Sequence, residues 1–331
     1  MNKLLFPFLA IPTLLLPLAG CGGSAHDPTE LYFLVTVSTK IPYWQAASAG
    51  FSKAADDLKV KYDFVGPETY DVEAERQEFS KAVREKKATG ILVSAADSEA
   101  LKPEIDNAVA QGIPVITLDA DSPTSKRLMF IGTDNYEAGR RGGAVLARQL
   151  QGKGNVVVFS ILEQANLRER WHGYEDALKT SPGIKVVETV NVKGDPRIAF
   201  DRTTEYIEKK LPVDAFVCLE AQACPEVADV LDRKQVKGKV VLAMDTDPRT
   251  LEWIQKGMIA ATLAQRPYTM AYFGLKVLDM VYHQKPPSLL VNFGEDTRSP
   301  FPGFIDTGAT LVDKSNVDAF VKANAAAPSG N

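Results

Sequence analysis

Cysteine and histidine are scarce in this chain of 331 residues, which contains three of each. The histidines, His26, His172 and His283, are scattered along the sequence, and no metal-ligand spacing links them to the cysteines. We therefore predict no metal site and no cofactor.

Blocks of basic residues are also missing. The chain has 42 acidic against 38 basic side chains and a formal net charge of −4. A surface that binds nucleic acid neutralises phosphates with clustered Lys and Arg. We therefore do not expect nucleic acid as a partner.

A long apolar run occurs at the N-terminus, from Leu4 to Leu18, and three prolines interrupt it. It is too short for a membrane span. With Lys3 before it and small residues and Cys21 after it, the run resembles a bacterial lipoprotein signal. We predict a signal peptide over residues 1–20, lipidation of Cys21, and a flexible tether over residues 21–30.

If Cys21 is acylated, Cys218 and Cys224 remain. Export to an oxidising compartment permits a bridge between them. We favour the alternative that they do not meet, because Cys218 belongs to a predicted buried strand. Strand-to-helix geometry seldom offers the Cα separation of about 5.5 Å that a disulfide requires.

The remaining sequence alternates short apolar runs with helical patterns of ten or more residues. This alternation predicts an α/β fold with parallel sheets and right-handed crossovers. The rhythm starts again near residue 136, which indicates two doubly wound lobes. Several short crossings between them would suit a hinged pair.

Polar residues follow two of the predicted strands. The run Val115–Leu118 ends in Asp119, and the run Leu128–Ile131 is followed by Thr133 and Asn135. Ligands of open α/β sheets bind at the carboxyl ends of strands. Carboxylate, hydroxyl and amide groups hydrogen-bond hydroxyls well, which favours a binding site for a polar ligand.

Six segments stand out along the chain: VSTKIPYW (37–44), IPVITLD (113–119), IGTDNYEAG (131–139), RERWHGY (168–174), AMDTDP (243–248) and LAQRPY (263–268). In this order they resemble the periplasmic sugar-binding proteins of the ribose/galactose/glucose type, which are type I solute-binding proteins of ABC importers. The resemblance covers about Leu31 to Phe320, and the chain is most similar to the glucose-binding branch.

The resemblance implies two homologous lobes joined by three hinge crossings. We assign residues 31–133 and 266–292 to the N-terminal lobe. Residues 134–265 and 293–325 are assigned to the C-terminal lobe. A strand over 289–291 and a helix near 315–322 are expected in the last part of the chain.

In the N-terminal lobe, the resemblance implies that Tyr43 and Trp44 stack on a pyranose ring and that Asp119 accepts bonds from its hydroxyls. The alternative for the aromatic pair is a place in the core. Thr133 and Asn135 match polar positions at the first crossing, where a hinge or helix-cap role is the alternative.

In the C-terminal lobe, the matching positions are Arg170, whose planar fork can span neighbouring oxygens, Asp245, and Gln265, which can donate and accept. A helix cap is the alternative for Asp245. Glu220 can accept from a sugar hydroxyl, although Gln222 could fill this role instead.

Departures from the family pattern bear on the choice of sugar. Ala120 and Ala221 replace residues of the ribose-type site, which makes ribose doubtful, and Ile41 replaces an Asn. Lys40 either enters the cleft or stays in solvent. We expect a hexose such as glucose, with a sugar acid or an amino sugar as rivals.

Asp119, Glu220 and Asp245 could in principle form the carboxylate pair of a glycosidase. No nucleophile with an adjacent base accompanies them, which favours binding without catalysis. We therefore expect a monomeric, lipid-anchored protein, periplasmic or at the cell surface, that delivers sugar to an ABC permease in the inner membrane. The alternative is a sugar sensor for a chemoreceptor or histidine kinase.

Overall fold

The computed structural model describes residues 26–85, 87–284, 299 and 301–326. Strands and helices alternate as the sequence pattern predicts. The elements of the first part of the chain are β1 (Leu31–Val35), α1 (Pro42–Leu58), β2 (Lys61–Val65), α2 (Val72–Arg84), β3 (Gly90–Val93), α3 (Ser98–Ala110), β4 (Val115–Leu118) and β5 (Phe130–Gly132).

The second part begins with a helix, follows the same order with one more helix before its fifth strand, and ends with two helices and two strands. Its elements are α4 (Asn135–Gln149), β6 (Lys153–Ser160), α5 (Ala165–Leu178), β7 (Gly183–Asn191), α6 (Pro196–Glu208), β8 (Ala215–Cys218), α7 (Ala223–Arg233), β9 (Val240–Met244), α8 (Pro248–Lys256), β10 (Ala261–Ala264), α9 (Pro267–His283), β11 (Phe304–Asp306), β12 (Thr310–Asp313) and α10 (Val317–Ala326).

Two six-stranded sheets form the two lobes. Their strand orders are β11-β5-β4-β3-β1-β2 and β12-β10-β9-β8-β6-β7, which correspond position by position. The pairing is parallel except between β10 and β12. Strands β4 and β9 therefore occupy equivalent places in the two sheets. The residues that follow these strands lie at equivalent positions, at the carboxyl ends of the strands. This confirms the predicted α/β fold of two doubly wound lobes.

The chain passes between the lobes after β5, after β10 and between β11 and β12. The predicted assignment of all of 293–325 to the C-terminal lobe is wrong for β11, which pairs with β5 in the N-terminal lobe. The third crossing therefore falls at 307–309. The strand predicted over 289–291 lies outside the described residues.

Helix α5, which carries Arg170, packs closely on α4. A Cβ added at Gly139 would lie 1.9 Å from the backbone oxygen of Arg170, so the two helix backbones are in direct contact. A larger residue at position 139 would push α5 away. The small residue thus determines where Arg170 leaves its helix.

The two internal cysteines form a disulfide, and the expectation that they do not meet is wrong. Cys218 ends β8, Cys224 lies in the first turn of α7, and their Cα atoms are 5.6 Å apart. The short turn over 219–222 folds back on the strand end. This brings the helix start close enough for the bridge.

Residues 26–30 belong to the folded lobe, which corrects the predicted extent of the tether. The Glu30 side chain is buried, and its backbone N–H donates to the Asp27 carbonyl. The predicted signal peptide and Cys21 lie outside the described residues. None of the helices in the described part of the chain combines the length and apolarity that a membrane crossing requires.

Candidate functional site

A cavity of about 420 Å³ lies between the lobes. It brings together most of the residues predicted from the sequence, and both lobes contribute to it. The predicted residues in its lining are Tyr43, Trp44, Asp119, Arg170, Glu220, Asp245 and Gln265.

Two carboxylates reach the cavity from equivalent strand ends. Asp119 follows β4 with φ 60° and Asp245 follows β9 with φ 67°, so both have left-handed backbone conformations. Their amides continue the ladders by donating to the Ile131 and Leu263 carbonyls at 3.1 and 2.8 Å. A left-handed residue other than glycine costs on the order of 1 kcal/mol. The same strained turn at both sites points both carboxylates into the cleft.

Asp121, the second carboxylate after β4, has a structural role. Arg127 donates to Asp121 Oδ2 at 2.6 Å, and Thr117 Oγ1 donates to its Oδ1 at 2.6 Å. Asp121 is absent from the cavity lining, whereas Asp119 belongs to it. The two neighbouring carboxylates therefore serve different purposes.

The Tyr43 hydroxyl donates to Asp119 Oδ1 at 2.6 Å. The ring of Tyr43 lies edge-on to Trp44, with centroids 4.9 Å apart. Burial and the neighbouring carboxylate raise the pKa of Tyr43, and burial raises the pKa of Asp119. Trp44 lines the cavity and also packs in the core of the N-terminal lobe. The two interpretations of this aromatic residue are therefore compatible.

Arg170 is almost completely buried, with 1% of its surface exposed. Its Nη1 donates to the Leu219 carbonyl, and its Nη2 donates to Asn135 Oδ1 at 2.5 Å and Gln265 Oε1 at 3.3 Å. Among the described residues none accepts a bond from the buried Arg170 Nε. The guanidinium is held rigidly by three acceptors, and its Nε–H remains available as a donor.

Gln265 links Arg170 to Asp245. Its Nε2 donates to Asp245 Oδ1 at 3.0 Å, while its Oε1 accepts from the guanidinium. Burial raises the pKa of Asp245 to about 7, against the lowering effects of the Arg170 charge and the Gln265 hydrogen bond. The Gln265 side chain, which lies at the second crossing, thus fixes the Asp245 carboxyl group and the Arg170 guanidinium relative to each other.

Glu220 combines a cavity position with a helix-capping role. Its two carboxylate oxygens accept from the Gln222 and Ala223 backbone N–H groups, both at 2.7 Å, at the start of α7. Burial raises its pKa. Because both of its oxygens accept backbone hydrogen bonds, Glu220 stabilises the turn between the two bridged cysteines.

Thr133 and Asn135 lie behind the cavity, outside its lining. Asn135 accepts from Arg170 and donates from Nδ2 to the Thr133 carbonyl at 3.1 Å. Both residues are 2% exposed. At the first crossing they position the arginine.

Other polar residues in the lining were missed by sequence reasoning. Gln164 and Asn166 follow the end of β6, and Tyr70 follows β2. The rule that polar residues after a strand face the crevice would have found them. Lys40 lies at the rim of the cavity, and its side chain is two-thirds exposed. Its Nζ is 3.5 Å from Glu68 Oε1, so the amine stays in solvent.

The lobes contact each other around the cavity. A Cβ added at Gly194, which has φ 74°, would lie 2.4 Å from the Tyr70 ring of the other lobe. Asn166 Nδ2 approaches the Asp119 carbonyl at 3.4 Å, and Gln164 Nε2 approaches Tyr70 at 3.4 Å. This is a closed arrangement of the lobes.

Carboxyl groups, an arginine, amides and aromatic faces can together bind a small polar ligand. The described residues that line the cavity include no histidine or cysteine. The hydroxyl that pairs with a carboxylate, that of Tyr43, has a raised pKa, which is the opposite of an activated nucleophile. Strand ends facing a cleft between two doubly wound lobes define a solute-binding protein of the hinged, two-lobed class.

Comparison with known proteins gives the family. Residues 32–285 match the model of the periplasmic binding protein domain, and the chain belongs to that family. It is 26% identical over 260 residues to the D-allose-binding periplasmic protein of Escherichia coli (strain K12), covering 75% of this chain and 83% of that protein.

Two solved structures show the same fold. The glucose-galactose binding protein GanP from Geobacillus stearothermophilus has a TM-score of 0.78 at 28% identity, covering 87% of this chain and 98% of GanP. A solute-binding protein from Burkholderia graminis C4D1M in complex with D-arabinose has a TM-score of 0.79 at 28% identity, with 89% and 98% covered.

The chain therefore belongs to a family of solute-binding proteins, not of enzymes. The matched relatives are named as sugar-binding proteins or as solute-binding proteins of ABC transporters. The matched proteins are named for several different sugars. They therefore do not single out the glucose-binding branch.

Proposed function

We propose that this protein is the lipid-anchored binding component of an ABC importer and that its lobes close on one monosaccharide, a hexose such as glucose. The observation that supports this most is the pair of equivalent carboxyl groups, Asp119 and Asp245, on opposite sides of a cavity that also contains the Arg170 guanidinium.

The size and charge of the cavity favour a small neutral ligand. A volume of about 420 Å³ lies near the lower end of the roughly 300–1,000 Å³ of small-molecule sites. Apart from Glu68 at the rim, the lining has three carboxyl groups, those of Asp119, Glu220 and Asp245, and in their ionised forms they outnumber the Arg170 guanidinium. A further carboxylate would be repelled, which disfavours a sugar acid more than an amino sugar.

The ligand would join the lobes through bonds that each lobe makes separately. Asp119 accepts from the Tyr43 hydroxyl through Oδ1, and Asp245 accepts from Gln265 through Oδ1. The remaining lone pairs of both carboxylates can accept from hydroxyls, and Arg170 Nε can donate to a ring or hydroxyl oxygen. Trp44 supplies an apolar face for the C–H groups. Sugar therefore stabilises the closed form by its differential affinity.

A thermal-shift screen tests the class of sugar, followed by calorimetry of the strongest hits. The panel consists of hexoses, pentoses, an amino sugar and a sugar acid. We expect the largest shift from a neutral hexose. A larger shift from the sugar acid would contradict the charge argument, and one from a pentose would contradict the choice of a hexose.

The lipid anchor is tested independently of sugar binding. The parent chain should enter the detergent phase on partitioning, while Cys21→Ser should remain in the aqueous phase and bind sugar equally well. A parent chain recovered wholly in the aqueous phase would remove the anchor from the proposal.

Importer and sensor are separated by deleting the gene and measuring two outputs. Loss of uptake of the labelled sugar supports import. Unchanged uptake with loss of sugar-induced transcription would support the sensory alternative, because both functions use the same closure.

A further inference from the structure

Two histidines that are 257 residues apart in the sequence meet at the end of the N-terminal lobe away from the cavity. His26 precedes β1, and His283 is the last residue of α9. Helix α9 begins at Pro267, next to the crossing residue Gln265, and its 17 residues span about 25 Å. The pair is thus separated from the sugar site by about the length of a helix.

Two carboxylates face the same point as the histidines. His26 Nδ1 lies 2.9 Å from Glu30 Oε2, 3.1 Å from His283 Nε2 and 3.4 Å from Asp279 Oδ1. His283 Nε2 lies 3.1 Å from Glu30 Oε2 and 3.6 Å from Asp279 Oδ1. All four atoms lie within 4.8 Å of one another.

These distances match the edges of a small tetrahedron. Zinc binds His nitrogen and carboxylate oxygen at about 2.0–2.1 Å, and a tetrahedron with such bonds has ligand-to-ligand edges of about 3.3–3.4 Å. The five distances between a histidine nitrogen and another ligand atom fall on both sides of this value. Small side-chain adjustments would therefore admit one ion.

The carboxylates are already held in place by other groups. Glu30 is 2% exposed, and its second oxygen, Oε1, accepts from the Asp27 backbone N–H at 2.7 Å. Asp279 is 9% exposed, and its Oδ1 accepts from the buried Tyr32 hydroxyl at 3.3 Å. Outer contacts of this kind orient the ligands of metal sites. Two buried carboxylates facing one point also call for a positive charge between them.

We propose that His26, Glu30, Asp279 and His283 bind one zinc ion. Two imidazoles favour zinc over calcium or magnesium, which prefer oxygen ligands. Four protein ligands complete a tetrahedral shell, as in structural zinc sites. The ion would fasten residues 26–30 to the end of α9 and so fix where the folded lobe begins. This site is independent of the sugar cavity.

The test uses the full chain purified without a polyhistidine tag and stripped of metal with a chelator. Zinc is titrated against a chromogenic chelator. We expect one equivalent to bind, with affinity at least ten-fold weaker in His283→Ala and in His26→Ala. The matched control is His172→Ala, because His172 is exposed and lies 3.9 Å from a single carboxylate, Asp176. It should bind zinc as the parent does.

Two further measurements guard against misfolded variants. Sugar affinity should be unchanged in His26→Ala and His283→Ala, because the cleft is about a helix length away. Cobalt added to the unmodified chain should give the intense visible absorption of tetrahedral coordination. Zinc affinity that is equal in parent and His283→Ala, or parent protein without a tetrahedral cobalt spectrum, would overturn the proposal.

Discussion

Arg170→Ala is the sharpest test of the proposed binding site. The substitution removes a buried cation whose nitrogens donate to Leu219, Asn135 and Gln265. It also removes the Nε donor that we assign to the sugar. Losing a charged donor from a desolvated site costs roughly 2–4 kcal/mol of binding free energy. Sugar affinity should therefore fall by roughly 30-fold to 1,000-fold.

The same change should lower the free energy of unfolding, because three buried acceptors lose their donor and Asp119 and Asp245 lose a neighbouring cation. Removing one member of a buried charged network costs about 3 kcal/mol or more. Calorimetry of sugar binding and chemical denaturation measure the two effects separately. Affinity should be compared only at a temperature where the sugar-free variant is folded.

Arg168→Ala is the matched control on the same helix. Arg168 Nη1 donates to the carbonyls of Leu162 and Glu163 at 2.9 and 2.6 Å, at the exposed surface. Its removal should change sugar affinity less than threefold. If Arg170→Ala binds within threefold of the parent while Arg168→Ala abolishes binding, the assignment of the guanidinium to the sugar is refuted.

Three further predictions concern protonation and the disulfide. Because burial raises the pKa of Asp245 to about 7 and sugar hydroxyls favour its ionised form, affinity should fall as the pH drops below 7. Calorimetry in two buffers at pH 6 should detect proton release, which Asp245→Asn should abolish. Replacing Cys218 and Cys224 by Ser opens a short loop and should cost about 2 kcal/mol of stability, seen as a lower melting temperature that no longer responds to reductant. Burial raises the pKa of Glu75, so folding favours the neutral form of its carboxyl group. The stability of the folded protein should therefore fall as the pH rises above the ordinary pKa of a glutamate. Glu75→Gln should therefore be more stable than the parent at pH 7 but not at pH 4 in chemical denaturation, and equal stability at both values would contradict this.

Local patterns were sufficient for the architecture. The alternation of buried strands and amphipathic helices depends on neighbouring residues, and it predicted both lobes. Asp119 was also recognisable, because an apolar run that ends abruptly in a carboxylate marks a strand end. Asp245 was identified through the resemblance to the sugar-binding family.

Contacts between distant segments were not predictable in this way. The pairing of β11 with β5 depends on where the chain returns after α9, and the Cys218–Cys224 bridge depends on the turn over 219–222. Asn135 shares its polarity with true cavity residues, and only the packing of α4 on α5 places it behind Arg170.

By itself, the sequence determined the kind of fold and the chemistry offered at its strand ends, since both follow from periodicity and residue type. Only the tertiary structure decided which polar groups share the cavity and which support it. It also brought His26 and His283 together, although 257 positions separate them. The physical reason is that such meetings depend on the relative placement of whole helices and strands, which the packing of the lobe sets and no local pattern records.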